Sequence, residues 1–368
     1  MEEKSMIAVI SKYRKAIMGF AALWILAMHE WRLLIPYGES FWEREVFLKD
    51  IGFCGVDIFL LLSGMGLTYA IKKSSVGRFY FGRIKRILFP CLAVAVIVGV
   101  SYGWSAREFL ANVSGYNFYF KSIYSFMWFV PAILTLYLVF PFYWAIFSRA
   151  KNKTVFTLTV LVIWLLVSMV LRDRLRGDMY GFTNRIPVFL VGVLYGWLCQ
   201  NNRMRESRGL WALTALTLLL GLYLADRTNV DGMYLLVPVS NCCVPNLLIA
   251  MSLPLIMAKL LDLLASFRAT RWLSAAANAV LGFFGMMSLE FYCIQQWVSE
   301  MISGYLDTHF GHKAINLLML AFPLCPMMPR RLRLSSRMHR NLRATAVMLL
   351  KMPVSPICRD RRAAGRFK

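Results

Sequence analysis

The chain has 368 residues, 59% of them hydrophobic and 17% charged, and a formal net charge of +23. Soluble domains are nearer half apolar and a quarter charged, so this composition excludes an ordinary soluble domain. The apolar excess comes in blocks of roughly 17 to 25 residues, the length of a bilayer-spanning helix.

The pattern predicts an all-α, polytopic integral membrane protein with about ten transmembrane helices. The expected spans are 16–36, 51–71, 86–103, 127–147, 154–171, 186–200, 209–225, 234–260, 279–301 and 313–328. The first fifteen residues are polar and charged, and no small-residue cleavage site follows the first apolar run. That run is therefore expected to be a retained span.

Span one closes on Met28-His29-Glu30-Trp31-Arg32, and His29 is one of only four histidines. An ionisable side chain at such depth normally faces a bundle interior or a wet cavity. With the span starting near Ala16, His29 lies about 20 Å across the membrane. Span two runs the other way and carries Asp57. Asp57 then sits about 9 Å below the outer face, or roughly 21 Å from the inner one. His29 and Asp57 thus match in depth, and a carboxylate beside a histidine fixes its tautomer and suits it to general-base work. The plainer alternative is that Asp57 marks a helix N-terminus and His29 snorkels to the interface. Further along span two, Ser63-Gly64-Met65-Gly66 permits close helix packing.

The next loop runs Gly77-Arg-Phe-Tyr-Phe-Gly-Arg-Ile-Lys-Arg-Ile-Leu-Phe-Pro90. Arg83 and Arg86 are three apart at a helix start and share a face. Arginine forks suit phosphates, although a basic loop is also an ordinary inner-face anchor. Trp128 and Pro131 open span four, as an interfacial anchor and a first-turn proline. Span eight holds Pro238, Pro245 and Pro254 and is expected to be kinked or broken. Glu290 lies near the middle of span nine, where a buried carboxylate is a functional candidate or a structural partner for a basic group. Span ten is short and interrupted by Pro323, Pro326 and Pro329. Residues 330–368 then carry twelve Lys/Arg against one acid. They are expected to be a disordered cytoplasmic tail on the anionic inner leaflet or a frame-shifted end, with residues 1–329 forming the transmembrane domain.

Loop charge sets the orientation. Basic loops follow spans two, four, six and eight, and Lys12, Arg14 and Lys15 precede span one. The intervening loops are acidic or mixed, the least clear being 172–185, with four arginines and two aspartates. Both termini are therefore expected in the cytoplasm. This bias also accounts for the positive charge without nucleic acid. The eight cysteines lie mostly in apolar runs and show no metal-ligand spacing, so neither a disulfide framework nor a metal site is expected.

Four blocks resemble the membrane-bound acyltransferase family 3, the O-acyltransferases of bacterial cell-surface glycans. They are Met18 to His29; Gly55-Val-Asp-Ile-Phe-Leu-Leu-Leu-Ser-Gly64; Phe79 to Pro90; and Trp128 through Tyr137 to Pro141. A weaker echo is Ser288-Leu-Glu-Phe-Tyr-Cys-Ile-Gln295, which makes Tyr292 a candidate beside Glu290. The resemblance implies transfer of an acyl group, usually acetyl, from cytoplasmic acyl-CoA to a hydroxyl of an extracytoplasmic glycan or lipid-linked sugar. His29 would be catalytic, with Asp57 orienting it and Arg83 and Arg86 holding the CoA phosphates. Two positions depart from the family pattern. Met18 stands where an arginine is frequent, with Arg14 one turn earlier as a substitute, and Gln295 stands where the late block usually has histidine. A transporter or flippase-like protein, with the same buried charges lining a substrate path, is the alternative.

Overall fold

The structure, a computed structural model, describes residues 5–29, 38–122, 125–171, 179–230, 243–295 and 297–298. Among them the regular structure is helical: α1 (Ala8–His29), α2 (Trp42–Asp50), a 3₁₀ turn (Ile51–Phe53), α3 (Cys54–Lys73), α4 (Val76–Ser101), α5 (Ala106–Val113), α6 (Tyr116–Phe120), α7 (Phe129–Arg149), α8 (Lys153–Leu171), α9 (Tyr180–Thr183), α10 (Ile186–Gln200), α11 (Arg208–Val230), α12 (Cys243–Ser266), α13 (Arg271–Met286) and α14 (Ser288–Gln295). Among the described residues seven stretches are long and apolar enough to cross a membrane, or eight if α13 and α14 count as one bent span. α1 has 22 residues, but Lys12, Arg14 and Lys15 occupy its first half. The protein is an all-α polytopic membrane protein. The end of expected span one (30–36), the start of span eight with Pro238, span ten (313–328) and the 330–368 tail all lie outside the described residues.

Among the described residues, span eight shows no break. α12 is one continuous helix with Pro245 in its first turn and Pro254 inside it. A proline in the first turn removes an amide that had no intrahelical partner, so Pro245 starts the helix without breaking it. The sharp bend falls in span nine, where α13 and α14 meet at 66°. Met287 between them has non-helical φ −117° and ψ 21°.

α3 is the central helix: 83% of the span that contains it is buried, against 11% for α8 and 17% for α11. α8 and α11 instead turn Leu158, Val162, Leu166, Leu213, Leu216 and Leu220 outward. In lipid those apolar faces need no partner, so burial against protein is reserved for helices carrying polar groups or close contacts. α3 packs on α10, α1 on α13, α3 and α12, and α11 on α12. Missing side chains allow the closest approaches. A Cβ at Gly64 would lie 2.3 Å from the Phe189 carbonyl oxygen, and one at Gly192 would lie 2.2 Å from that of Leu61. These two glycines lock α3 to α10, as the small-residue motif of span two predicts.

Candidate functional site

Two helices bring three arginines together. Arg14 comes from the first half of α1, and Arg83 and Arg86 from the first turns of α4. All three line a cavity of about 730 Å³, counting its mouth, with Met18, Ser63, Tyr137 and Tyr292 among its walls. The Arg14 guanidinium donates to the Leu62 carbonyl at 3.0 Å. It reaches there because position 66 has no side chain: a Cβ on Gly66 would come within 2.8 Å of Arg14 Nη1. Arg14 and Met18 both line this cavity. Among the described residues no carboxylate pairs with Arg14, Arg83 or Arg86. Three clustered cations without an acid repel one another, and an anion in the cavity relieves that repulsion.

His29 ends α1, about 22 Å along the helix from Arg14 at 1.5 Å per residue. It lines a second, larger cavity of about 1160 Å³, again counting the mouth. The other walls include Tyr102, Trp104, Trp128, Tyr292, Gln295 and Trp297. The imidazole hydrogen-bonds to the Ile25 backbone. Its Nδ1 also lies 3.5 Å from the Gln295 amide. Met127, in the same wall, holds φ at +55°, a left-handed conformation that costs a non-glycine residue about 1–3 kcal/mol and clusters at functional sites.

Tyr292 belongs to both cavities. Its ring meets Phe129 edge-on with centroids 5.3 Å apart, and its hydroxyl hydrogen-bonds to the Phe129 backbone. Phe129 opens α7, where backbone amides lack intrahelical acceptors, so the phenol also satisfies a helix end. The side chain thus stands as a partition between the arginine cavity and the histidine cavity.

Asp57 does not meet His29. It is fully buried, and its Oδ2 takes Arg185 Nη1 at 2.5 Å and Asn246 Nδ2 at 3.2 Å. Arg185 also donates to the Gly181 and Phe53 carbonyls, and its guanidinium lies 5.6 Å from the centre of the Trp128 ring. Asp57 therefore reaches the histidine cavity through Arg185 and Trp128, a wall of that cavity. Counting residues along two helices gives depth alone; the direction each side chain takes around its helix axis is a separate quantity. Glu290 lines neither cavity and makes no ion pair among the described residues.

Arg185, Asn246 and Gln295 complete the buried polar network. Arg185, at the end of the loop whose mixed charge was the least clear part of the loop pattern, pairs with Asp57 in the interior. Asn246 gave no signal in an apolar run. Among the described residues, Cys91 and Cys293 place their sulfurs 3.6 Å apart in the core. Among the described residues no three His, Cys, Asp or Glu side chains converge as a metal site.

Residues 16–328 match the family model described as an acyltransferase domain, that of acyltransferase family 3, and the chain belongs to that family. No curated protein and no solved structure matches it. The transporter alternative is thereby set aside: the protein is a membrane acyltransferase.

Proposed function

We propose that this member of the acyltransferase family moves an acyl group, acetyl being the expected one, from cytoplasmic acyl-CoA to a hydroxyl of an extracytoplasmic cell-surface glycan. The membrane would be the bacterial cytoplasmic membrane, with both termini inside, following the basic bias of alternate loops. The observation that carries the proposal is the pair of cavities sharing Tyr292, one lined by three arginines without an acid partner and the other by the deep histidine.

Each part has a chemical role. Arg14, Arg83 and Arg86 match the phosphates of CoA, which are polyanionic and suit guanidinium forks. The long pantetheine arm then runs along the apolar wall of Phe59, Ile87 and Ile133 towards Tyr292. Beyond Tyr292 the thioester meets the acceptor hydroxyl in the histidine cavity. His29 removes the hydroxyl proton as the oxygen attacks the acyl carbon. The carbon–sulfur bond breaks, and the imidazolium returns the proton to the departing thiolate. Products are an O-acyl ester and CoA. Arg185, held by Asp57, supports the Trp128 wall against which the acceptor would lie, and aromatic walls suit sugar faces.

The test uses purified protein, labelled acetyl-CoA and a range of glycan acceptors. Wild type is expected to transfer label and His29→Ala to lose transfer by about 100-fold or more, the usual weight of a general base. Folded wild type with neither transfer nor thioester turnover would remove the proposal, and an undiminished His29→Ala would remove the role of His29.

A further inference from the structure

Gln295 closes α14, is 4% exposed and lines the cavity that holds His29. One end of its amide lies 3.5 Å from His29 Nδ1, and the other end is buried without a hydrogen-bond partner. A half-turn about the last side-chain bond exchanges the amide nitrogen and oxygen. The chemistry of the base selects between them. An amide N–H donating to Nδ1 leaves the ring proton on Nε2, which then has no lone pair to accept another. An amide oxygen facing Nδ1 requires Nδ1–H and leaves Nε2 free.

We propose that Gln295 is a positioning residue for His29: its amide oxygen accepts the Nδ1 proton, fixing the tautomer in which Nε2 is the base, and its NH₂ group turns into the cavity as a donor to an oxygen of the acceptor sugar. The second half follows from the first. With the oxygen committed to His29, the end of the amide that has no partner in the protein is the nitrogen. A buried donor on a residue that lines a cavity can be satisfied by the ligand that fills it. Trp297, in the same walls, likewise has a buried Nε1 without a partner, so two residues lining the cavity each hold an unsatisfied buried polar group. Both roles rest on His29 being the base. The reaction itself is unchanged: the hydroxyl proton goes to Nε2, the new ester bond replaces the thioester bond, and the proton leaves on the thiol.

The imidazole ring also donates to the Ile25 carbonyl, so Gln295 orients His29 together with that bond; no other titratable group stands in for Gln295. The other titratable groups sharing the cavity are Tyr102 at the end of α4, and Tyr292 and Cys293 on α14. No carboxylate or cation lines it among the described residues.

The experiment measures acetyl transfer by the full-length protein in detergent for wild type, Gln295→Leu and Gln295→Glu, at saturating acceptor and across pH. Gln295→Leu is expected to lower kcat about 10- to 100-fold, the usual effect of losing a partner that orients a functional histidine, with KM for acetyl-CoA within about twofold of wild type. Gln295→Glu restores an acceptor to Nδ1 and adds a negative charge. It is expected to recover most of the lost kcat and to move the acidic limb of kcat/KM up by about one pH unit, because a carboxylate favours the imidazolium. A purely structural glutamine would not move that limb. The inference is overturned if Gln295→Leu keeps kcat within about threefold of wild type, or if Gln295→Glu leaves the limb in place. Should Gln295→Leu not fold, Gln295→Glu and Gln295→Asn carry the same test, since neither removes the polar group. Failure of wild type to transfer, or full activity of His29→Ala, appears in the controls and strikes the proposed reaction instead.

Discussion

Asp57 and Arg185 are the most heavily buried ion pair among the described residues, with side chains 0% and 11% exposed. Removing one partner strands the other charge in a low-dielectric interior. Arg185→Met should therefore cost about 3–5 kcal/mol, whereas Asp57→Asn with Arg185→Met together should cost clearly less than the two singles summed. Thermal unfolding of the four proteins in one detergent checks this. A second expectation concerns the arginine cavity. Each of Arg83→Ala and Arg86→Ala removes a charged hydrogen-bonding group worth about 1.5–3 kcal/mol, so KM for acyl-CoA should rise about 10- to 100-fold with kcat nearly unchanged. Steady-state kinetics with varied donor decides it; a fall in kcat alone would place these residues away from the donor. Their pairing on one face was legible from the three-residue spacing. Arg14 joining them was legible only as a possibility of reach, because it depends on the bare backbone at Gly66, one helix away.

At the scale of elements, the crossing of α1 with α13 sets where His29 stands relative to α14. A Cβ at Gly19 would lie 1.8 Å from the Leu281 carbonyl oxygen, and one at Gly285 would lie 1.8 Å from that of Lys15. Carbonyls of a helix do not yield as a side chain tip does, so the helices must separate. Gly19→Ala and Gly285→Ala should each destabilise by about 1–3 kcal/mol or more and lower activity by shifting His29 away from Gln295. Gly77, at the start of α4, has open space around it. Gly77→Ala should leave stability within about 1 kcal/mol or improve it slightly. Melting temperatures of the three variants, with acetyl transfer, test both claims. The bend between α13 and α14 was not legible from the residues, since no proline marks it. The prolines of span eight gave the stronger signal, but Pro245 falls in a first turn and Pro254 in a helix that accommodates it.

For the whole molecule, ion pairs join one end of the bundle: Lys12 with Asp262 at 2.5 Å, and Lys259 with Glu206. Glu206 lies between α10 and α11, and its hydrogen bond from Lys259 holds its pKa below the ordinary 4.5. A depressed carboxylate stabilises the fold above its unfolded value, and the contribution is lost as pH falls through the folded value. Glu206→Gln should therefore flatten the loss of thermal stability below about pH 4.5 and change little at pH 7, because the pair is half exposed and screened. A pH series of melting curves for wild type and variant reads this directly. An identical acid limb in both would assign the acid sensitivity to other groups.

The sequence by itself determined the class of the protein, because hydropathy blocks and span length are properties of consecutive residues, and a bilayer admits only helices at such lengths. It also determined the rarity of His29, the basic face of Arg83 and Arg86, and the blocks that carry the family. The tertiary structure decided the partners. Asp57 turned to Arg185 and Asn246, His29 to Gln295, and Tyr292 into the wall between two cavities. Depth along a helix accumulates residue by residue and can be counted, whereas the direction a side chain takes around its axis depends on which helix is packed against it, and that is set by glycine contacts between segments far apart in the chain.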